Sequence, residues 1–308
     1  MAPCSQGEAW ATSETAFLKH LVHQGWGPEQ IHQEFTKEGI GKTHQAIRRK
    51  IQNERKRAPH EWHAHIAFPP DCAKRFDQQV KVEAESALLT FDWHAPFHDA
   101  RWGNQLIELG IRRKVQLVGI GGDLVDFSAF SKFGRQERVE AEDEIQSAEQ
   151  IVTALAHEFK QVVYSGGNHE MRLPKKTDNL LELRDAMGMF VRAKNVTITD
   201  YHWFELTSAG ERFYIEHPKN ASVNSGVVPA KLCAKYHCHV IAGHGHTWGM
   251  TRDVSGKFYG IDAGVCCDPD RLAYIVKVHS TRPAVCRGAV LIEGGVPILL
   301  DPHNIGRY

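Results

Sequence analysis

The sequence contains no apolar run approaching the length of a membrane span. Its opening residues, MAPCSQGEAW, lack the basic segment and apolar stretch of a secretory signal. Cysteine is sparse: there are seven, an odd number, and none stand in Cys-x-x-Cys spacing. That excludes a paired-thiolate zinc site and argues against a disulfide framework, so reduced thiols in a cytoplasmic setting are expected. Cys266 and Cys267 read as two small buried residues. There is no Gly-x-Ser-x-Gly elbow and no Gly-x-x-x-x-Gly-Lys-Ser/Thr loop, which removes serine hydrolases and P-loop nucleotidases. No internal repeat or low-complexity tract is visible.

What is present is an ordinary globular composition, 42% apolar and 24% charged, over 308 residues. This length accommodates one large α/β domain and a small module. The 37 basic and 37 acidic residues balance, but not locally. Between Lys42 and Arg57 stand Lys42, Arg48, Arg49, Lys50, Arg55, Lys56 and Arg57 against the lone acid Glu54. A compact basic stretch in a neutral chain is a candidate nucleic-acid contact, the plainer alternative being a solvated helix face.

Helical spacing predicts three short helices before residue 58. The first runs from Thr12 to His23, the second opens at Pro28, and the third follows Thr43 as N-cap with Ala46, Ile47 and Ile51 on one side. Residues 58–84 lose periodicity and collect Pro59, Pro69 and Pro70, the mark of a linker. His60, His63 and His65 within it read as scattered surface histidines. Beyond residue 85, strands and helices alternate. Strands are expected at Ala87–Phe91, Val115–Ile120, Gln161–Tyr164, Arg212–Glu216 and His239–Ala242, and helices at Ala100–Leu109 and Arg138–Phe159. Each of the five strands ends at a metal-ligating type: Asp92, Asp123, Asn168, His217 and His244. Strand C-termini are where an open α/β sheet delivers its ligands.

Asp, Asn and His without thiolate suit a borderline or moderately hard divalent ion: manganese first, with iron, zinc or nickel as alternatives. So many ligands exceed the needs of one ion, and two ions sharing a carboxylate would use them all, with a phosphate ester as the natural substrate. The motifs Asp92-Trp93-His94, Gly122-Asp123-Leu124-Val125-Asp126, Gly167-Asn168-His169-Glu170 and Gly243-His244-Gly245-His246 occur in that order. On them, residues 85–308 resemble the calcineurin-like metallophosphoesterase superfamily.

The resemblance implies a four-layer α/β/β/α sandwich. Asp92, His94 and His246 would hold one ion, Asn168, His217 and His244 the other, and Asp123 would bridge them. A hydroxide shared by the two ions would attack phosphorus, with His169 protonating or stabilising the leaving group and Asp126 orienting a ligand. His217 departs from the family's usual Gly-His and is chosen by position, with His202, His237 and His239 as rivals. Arg172 is a candidate for a substrate phosphate or a surface ion pair. His98 and Asp99 are candidate supports for the ligands or simply a helix start.

Residues 1–57 resemble the Myb-like or homeodomain-like helix-turn-helix group, carried by Trp10, Glu14, Leu18, Leu21, Ile31 and Ala46-Ile47-Arg48-Arg49-Lys50-Ile51. The resemblance implies that Thr43, His44, Arg48, Arg49 and Lys50 lie near DNA. The alternative is a helical protein-interaction module. The two parts together, with His94-Ala-Pro-Phe-His-Asp99, resemble helix-turn-helix phosphoesterases of phage genomes, which would place the protein in a host cytoplasm. The expected function is therefore a phosphodiesterase or nuclease acting on DNA. A phosphomonoesterase or protein phosphatase with the same cage is the first alternative, and a non-catalytic DNA-binding regulator the second.

Overall fold

The computed structural model describes residues 9–63, 76, 78–131, 139–277 and 284–308. The chain divides into two compact units, Met1–Arg75 and Phe76–Tyr308.

The first unit is built on helices α1 (Thr12–His23), α2 (Pro28–Lys37) and α3 (His44–Arg57), followed by a short 3-10 turn at Pro59–Glu61. Leu18, Leu21, Ile31, Phe35, Ile47 and Ile51 interlock as its core, and Trp62 closes it. The expected caps are in place: Pro28 opens α2, and the Thr43 side chain accepts the Ala46 N–H at 3.2 Å. The segment 58–84, expected as a linker, is structured at both described ends. Trp62 packs into the helical core, and residues 81–83 join a sheet. Its middle, with His65, lies outside the described residues.

The second unit contains, in order, β1 (Lys81–Glu83), β2 (Ser86–Thr90), α4 (Ala100–Arg112), β3 (Leu117–Gly121), α5 (Ala141–Glu158), β4 (Gln161–Ser165), α6 (Arg172–Lys176), α7 (Leu183–Gly188), β5 (Val196–Thr199), β6 (Trp203–Ser208), β7 (Glu211–Glu216), α8 (Val227–Tyr236), β8 (His239–Ala242), β9 (Trp248–Arg252), β10 (Tyr259–Ala263), α9 (Ala273–Val276), β11 (Ala289–Glu293) and β12 (Val296–Leu300). Arg138, the expected start of α5, lies outside the described residues.

Two six-stranded sheets form, in the orders β12-β11-β2-β3-β4-β5 and β1-β6-β7-β8-β10-β9. Strands β2 to β5 run parallel, as do β7, β8 and β10. Alternation decides the layers. Leu88, Val118, Val162 and Tyr164 point outward beneath Trp102 and Leu106 of α4 and Val152 and Leu155 of α5. Their sequence neighbours Ala87, Leu89, Leu117 and Val163 point inward and meet Phe204, Phe213, Ile215 and Ile241 of the second sheet. Val240 on that sheet's outer face packs on Cys233 and Leu232 of α8. The result is the expected α/β/β/α sandwich, with the C-terminal ends of β2, β3 and β4 facing those of β7 and β8.

The inter-sheet layer is tight where it meets those ends. A Cβ placed on Gly121 would lie 2.0 Å from the ring of fully buried Phe91. Gly121→Ala is therefore expected to destabilise the second unit by about 1–3 kcal/mol through overpacking. Phe91→Leu should restore part of the loss, and urea unfolding of the single and double variants measures both.

Candidate metal centre

Each motif lies in the loop just beyond its strand, and those loops adopt an unusual backbone. Asp92, His94, Asp123, His244 and His246 all have positive φ, between 45° and 68°. Asp, Asn and His are the non-glycine residues that best tolerate this left-handed region, yet each such residue costs on the order of 1 kcal/mol. Five at the facing ends of the two sheets mean that neighbouring contacts hold these side chains against their backbone preference. Gly167 is required for a different reason: a Cβ there would sit 2.3 Å from Asp123 Oδ1.

The side chains converge in overlapping groups that can hold metal ions: Asp92, His94 and His246; His94, Asp123 and His169; and Asp123, His217 and His244. In the first group, His246 Nε2 lies 3.3 Å from both Asp92 Oδ1 and His94 Nε2. Donors bound at roughly 2.0–2.2 Å around one ion are separated by about 3.0–3.5 Å, so this spacing suits coordination. Toward the other end, His217 Nε2 lies 3.2 Å from Asp123 Oδ2 and 3.1 Å from Asn168 Oδ1. Asp123 is common to two of the groups.

Hydrogen bonds set the orientation of the rings. His94 Nδ1 donates to Asp126 Oδ1 at 3.0 Å, and His217 Nδ1 donates to the Gly121 carbonyl at 3.1 Å. His169 Nδ1 faces the same Asp126 oxygen at 2.9 Å and the Asp126 carbonyl at 3.0 Å. With Nδ1 occupied in each ring, Nε2 is the nitrogen that points into the cluster, the arrangement that ligating histidines require. Asp92 supplies a further sign. Its Oδ2 accepts the His244 N–H at 3.0 Å, while its buried Oδ1 has no hydrogen-bond partner. A fully buried carboxylate oxygen left bare among imidazoles fits a cation ligand.

The electrostatics agree. Burial would raise the carboxyls of Asp92 and Asp123, but His246 at the one, and His217 and His169 at the other, hold both below the usual range. Asp126 behaves likewise, burial being outweighed by its hydrogen bonds to His169 and His94. Burial alone would lower His217, yet the facing Asp123 carboxylate raises it to about 10. These carboxylates generate a field that attracts positive charge.

Several candidate residues occupy places their motifs did not foretell. His169 offers a ring nitrogen within one of the ligand groups, so position alone does not separate it from the ligands. Arg172 bonds the Asp126 carbonyl at 2.7 Å and places Nη2 at 3.1 Å from His169 Nε2, so it is no free surface charge. Asp99 is the N-cap of α4 and also binds Arg287 at 2.5 Å, which supports the helix-start reading. His239 stacks on Phe213 and pairs with Glu211, exposed His237 ends α8, and His202 contributes its backbone carbonyl to the His217 N–H. Cys266 and Cys267 are buried.

In the first unit, Thr43 is a cap and His44 lies 3.5 Å from Glu29. Lys50 pairs with Glu54 at 2.8 Å and lies over the Trp10 ring. Arg48 and Arg49 are exposed.

The residue whose part the motifs concealed is Glu170. Buried, it accepts the N–H groups of Asp123 (3.0 Å), Leu124 (2.7 Å), Val125 (3.3 Å) and Gly167 (2.8 Å) and the Tyr164 hydroxyl (2.8 Å). Burial and the nearby Asp123 carboxylate push its pKa upward. All five of these partners are nonetheless donors, so it serves as an ionised acceptor. Its place in Gly-Asn-His-Glu was the available signal.

No protein-family model and no curated protein matches the chain. Among solved structures, the chain is similar to YfcE, a phosphoesterase from E. coli, at 13% identity over 69% of this chain and 90% of that one, with a TM-score of 0.38. An archaeal phosphodiesterase aligns at 15% identity over 70% and 99%, with a TM-score of 0.37. A dimetal phosphatase from Danio rerio aligns at 13% identity over 71% and 99%, with a TM-score of 0.39.

Replacing Glu170 by Gln puts an amide NH₂ among donors. The expected cost is about 1–3 kcal/mol for the N–H groups left unpaired. Divalent-metal affinity should also fall by roughly 10–100-fold as the Asp123 loop loosens. Calorimetric titration with manganese checks this, and unchanged affinity would separate Glu170 from the metal centre.

Proposed function

We propose that the second unit is a binuclear metal-dependent phosphodiesterase and that its substrate is nucleic acid. The observation that carries the enzymatic part is the convergence of Nε2 atoms on Asp92 and Asp123, with the rings of His94, His169 and His217 tied through Nδ1. Asp92, His94 and His246 would hold one ion and Asn168, His217 and His244 the other, with Asp123 between them. When bound, such a pair supplies Lewis-acid charge for the phosphoryl oxygens and acidifies water.

The chain's own groups account for the rest. Asp126 fixes the His169 ring so that Nε2 faces the cluster, where it can deliver a proton to a departing oxygen. Arg172, already beside that nitrogen, has the planar donor fork suited to a phosphate oxygen. Left-handed loop backbone and the Glu170 bonds hold these groups in place before substrate arrives.

Support for nucleic acid comes from the first unit, where Arg48 and Arg49 stand exposed on α3. Lys56 and Arg57 are exposed near the end of the same helix. Lys42 and Lys50 are engaged with Glu14 and Glu54 and do not add to this surface.

The discriminating experiment compares manganese-loaded protein on bis(p-nitrophenyl) phosphate, p-nitrophenyl phosphate and oligonucleotides. Diester preference with DNA cleavage is expected, and a monoester preference would replace this reading with a phosphatase. Asp123→Asn should abolish activity and lower metal content together, read by assay and elemental analysis. His169→Ala should keep the metal and lose roughly 10²–10⁴-fold in rate. Loss of metal in that variant would make His169 a ligand. Arg48→Ala/Arg49→Ala should weaken duplex binding and reduce its log–log salt slope by about two. An unchanged slope would remove α3 from substrate capture.

A further inference from the structure

Glu144 lies in the first turns of α5, fully buried and outside every motif. Its Oε1 accepts both the Ser128 N–H, at 2.8 Å, and the Ser128 hydroxyl, at 2.5 Å. Its Oε2 is buried with no hydrogen-bond partner. A buried carboxylate is a costly way to hold one serine, since a serine or glutamine could accept the same bonds without a charge to desolvate.

What Ser128 holds explains the expense. The preceding residue, Phe127, has a fully buried ring on a left-handed backbone at φ 47°, a strained conformation for an aromatic residue. Before it comes Asp126, whose carboxylate faces Nδ1 of both His94 and His169 and whose carbonyl accepts from Arg172. The chain of contacts therefore runs from α5 through Ser128 and the strained Phe127 to Asp126, whose carboxylate faces Nδ1 of two imidazoles.

We propose that Glu144 is a positioning residue for the proton-donating side of the site. It pins Ser128 so that Asp126 is held where it can serve His94 and His169 together. This rests on the phosphodiesterase reading above and adds to it a specific prediction about leaving groups. An ester of p-nitrophenol expels a stable anion and needs little protonation, whereas an ester of unsubstituted phenol needs the proton that His169 delivers. Misplacing Asp126 should therefore slow the phenyl ester more than the p-nitrophenyl ester.

The test uses full-length manganese-loaded protein and paired phenyl and p-nitrophenyl phosphodiesters of the same alcohol. For Glu144→Ala, kcat on the phenyl ester should fall by roughly 10–100-fold, the range seen when a residue supporting a site residue is removed. At saturating manganese, which offsets any loosening of His94, KM and metal content should stay near wild type, with a clearly smaller loss on the p-nitrophenyl ester. Glu144→Gln should recover most of the rate, because its amide oxygen can still accept from Ser128. Ser128→Ala, which removes only the hydroxyl donor, should show a weaker loss in the same direction and serves if Glu144→Ala does not fold. Equal losses on both esters, losses that track metal content, or no loss in any folded variant would overturn the proposal. If the wild type hydrolyses neither ester, the phosphodiesterase reading fails and this proposal with it. Wild-type turnover with indifferent variants overturns only the role of Glu144.

Discussion

Five donors meet one buried carboxylate at Glu170, and the geometry of the metal centre depends on that meeting. The Asp123–Val125 loop follows β3 and the Gly167–Glu170 loop follows β4, strands paired in register as far as Gly121 and Ser165, beyond which the loops meet through side chains. Glu170 supplies that crossing by accepting from both loops. Asp123 answers in the other direction, accepting the His169 N–H at 2.8 Å. Two reciprocal carboxylate-to-backbone links thus fix the distance between Asp123 and the neighbouring His169. Each is charge-assisted and shielded from water, which makes both strong and makes an incomplete set costly.

Much of this was legible in the sequence, for local reasons. α1 and α3 were readable because helical spacing and caps are properties of adjacent residues, and Thr43 caps as expected. The strands ending in ligands were readable because an apolar run stops at a chemically conspicuous residue. β6 was missed although Trp203–Ser208 alternates cleanly in burial, since no ligand ends it and its partners β1 and β7 are set by pairing rather than composition. The roles of Glu170 and Glu144 were illegible for a related reason. Glu170 reaches residues 45 to 47 positions away in Asp123–Val125, and Glu144 reaches one 16 positions away; the motif marks Glu170 but not its partners, and no motif marks Glu144.

The two sheets divide the labour. The first delivers Asp92, Asp123 and Asn168 from β2, β3 and β4, while the second delivers His217 and His244 from β7 and β8. Their relative placement is set by the apolar layer between them, in which Phe91, Phe204 and Phe213 are fully buried. His217 spans the divide, since its Nδ1 is anchored on the Gly121 carbonyl of the first sheet. The core layer and the cluster are therefore coupled, and repacking this layer would change the site without altering any of its side chains.

The left-handed loops set backbone against side chain at the same positions. At Asp92, His94, Asp123, His244 and His246 the backbone asks for glycine, and chemistry overrules it. Glycine at any of these positions would relieve strain while removing one of the side chains that make up the cluster. All five positions keep a carboxylate or imidazole, so the cluster is held together at the expense of backbone ease.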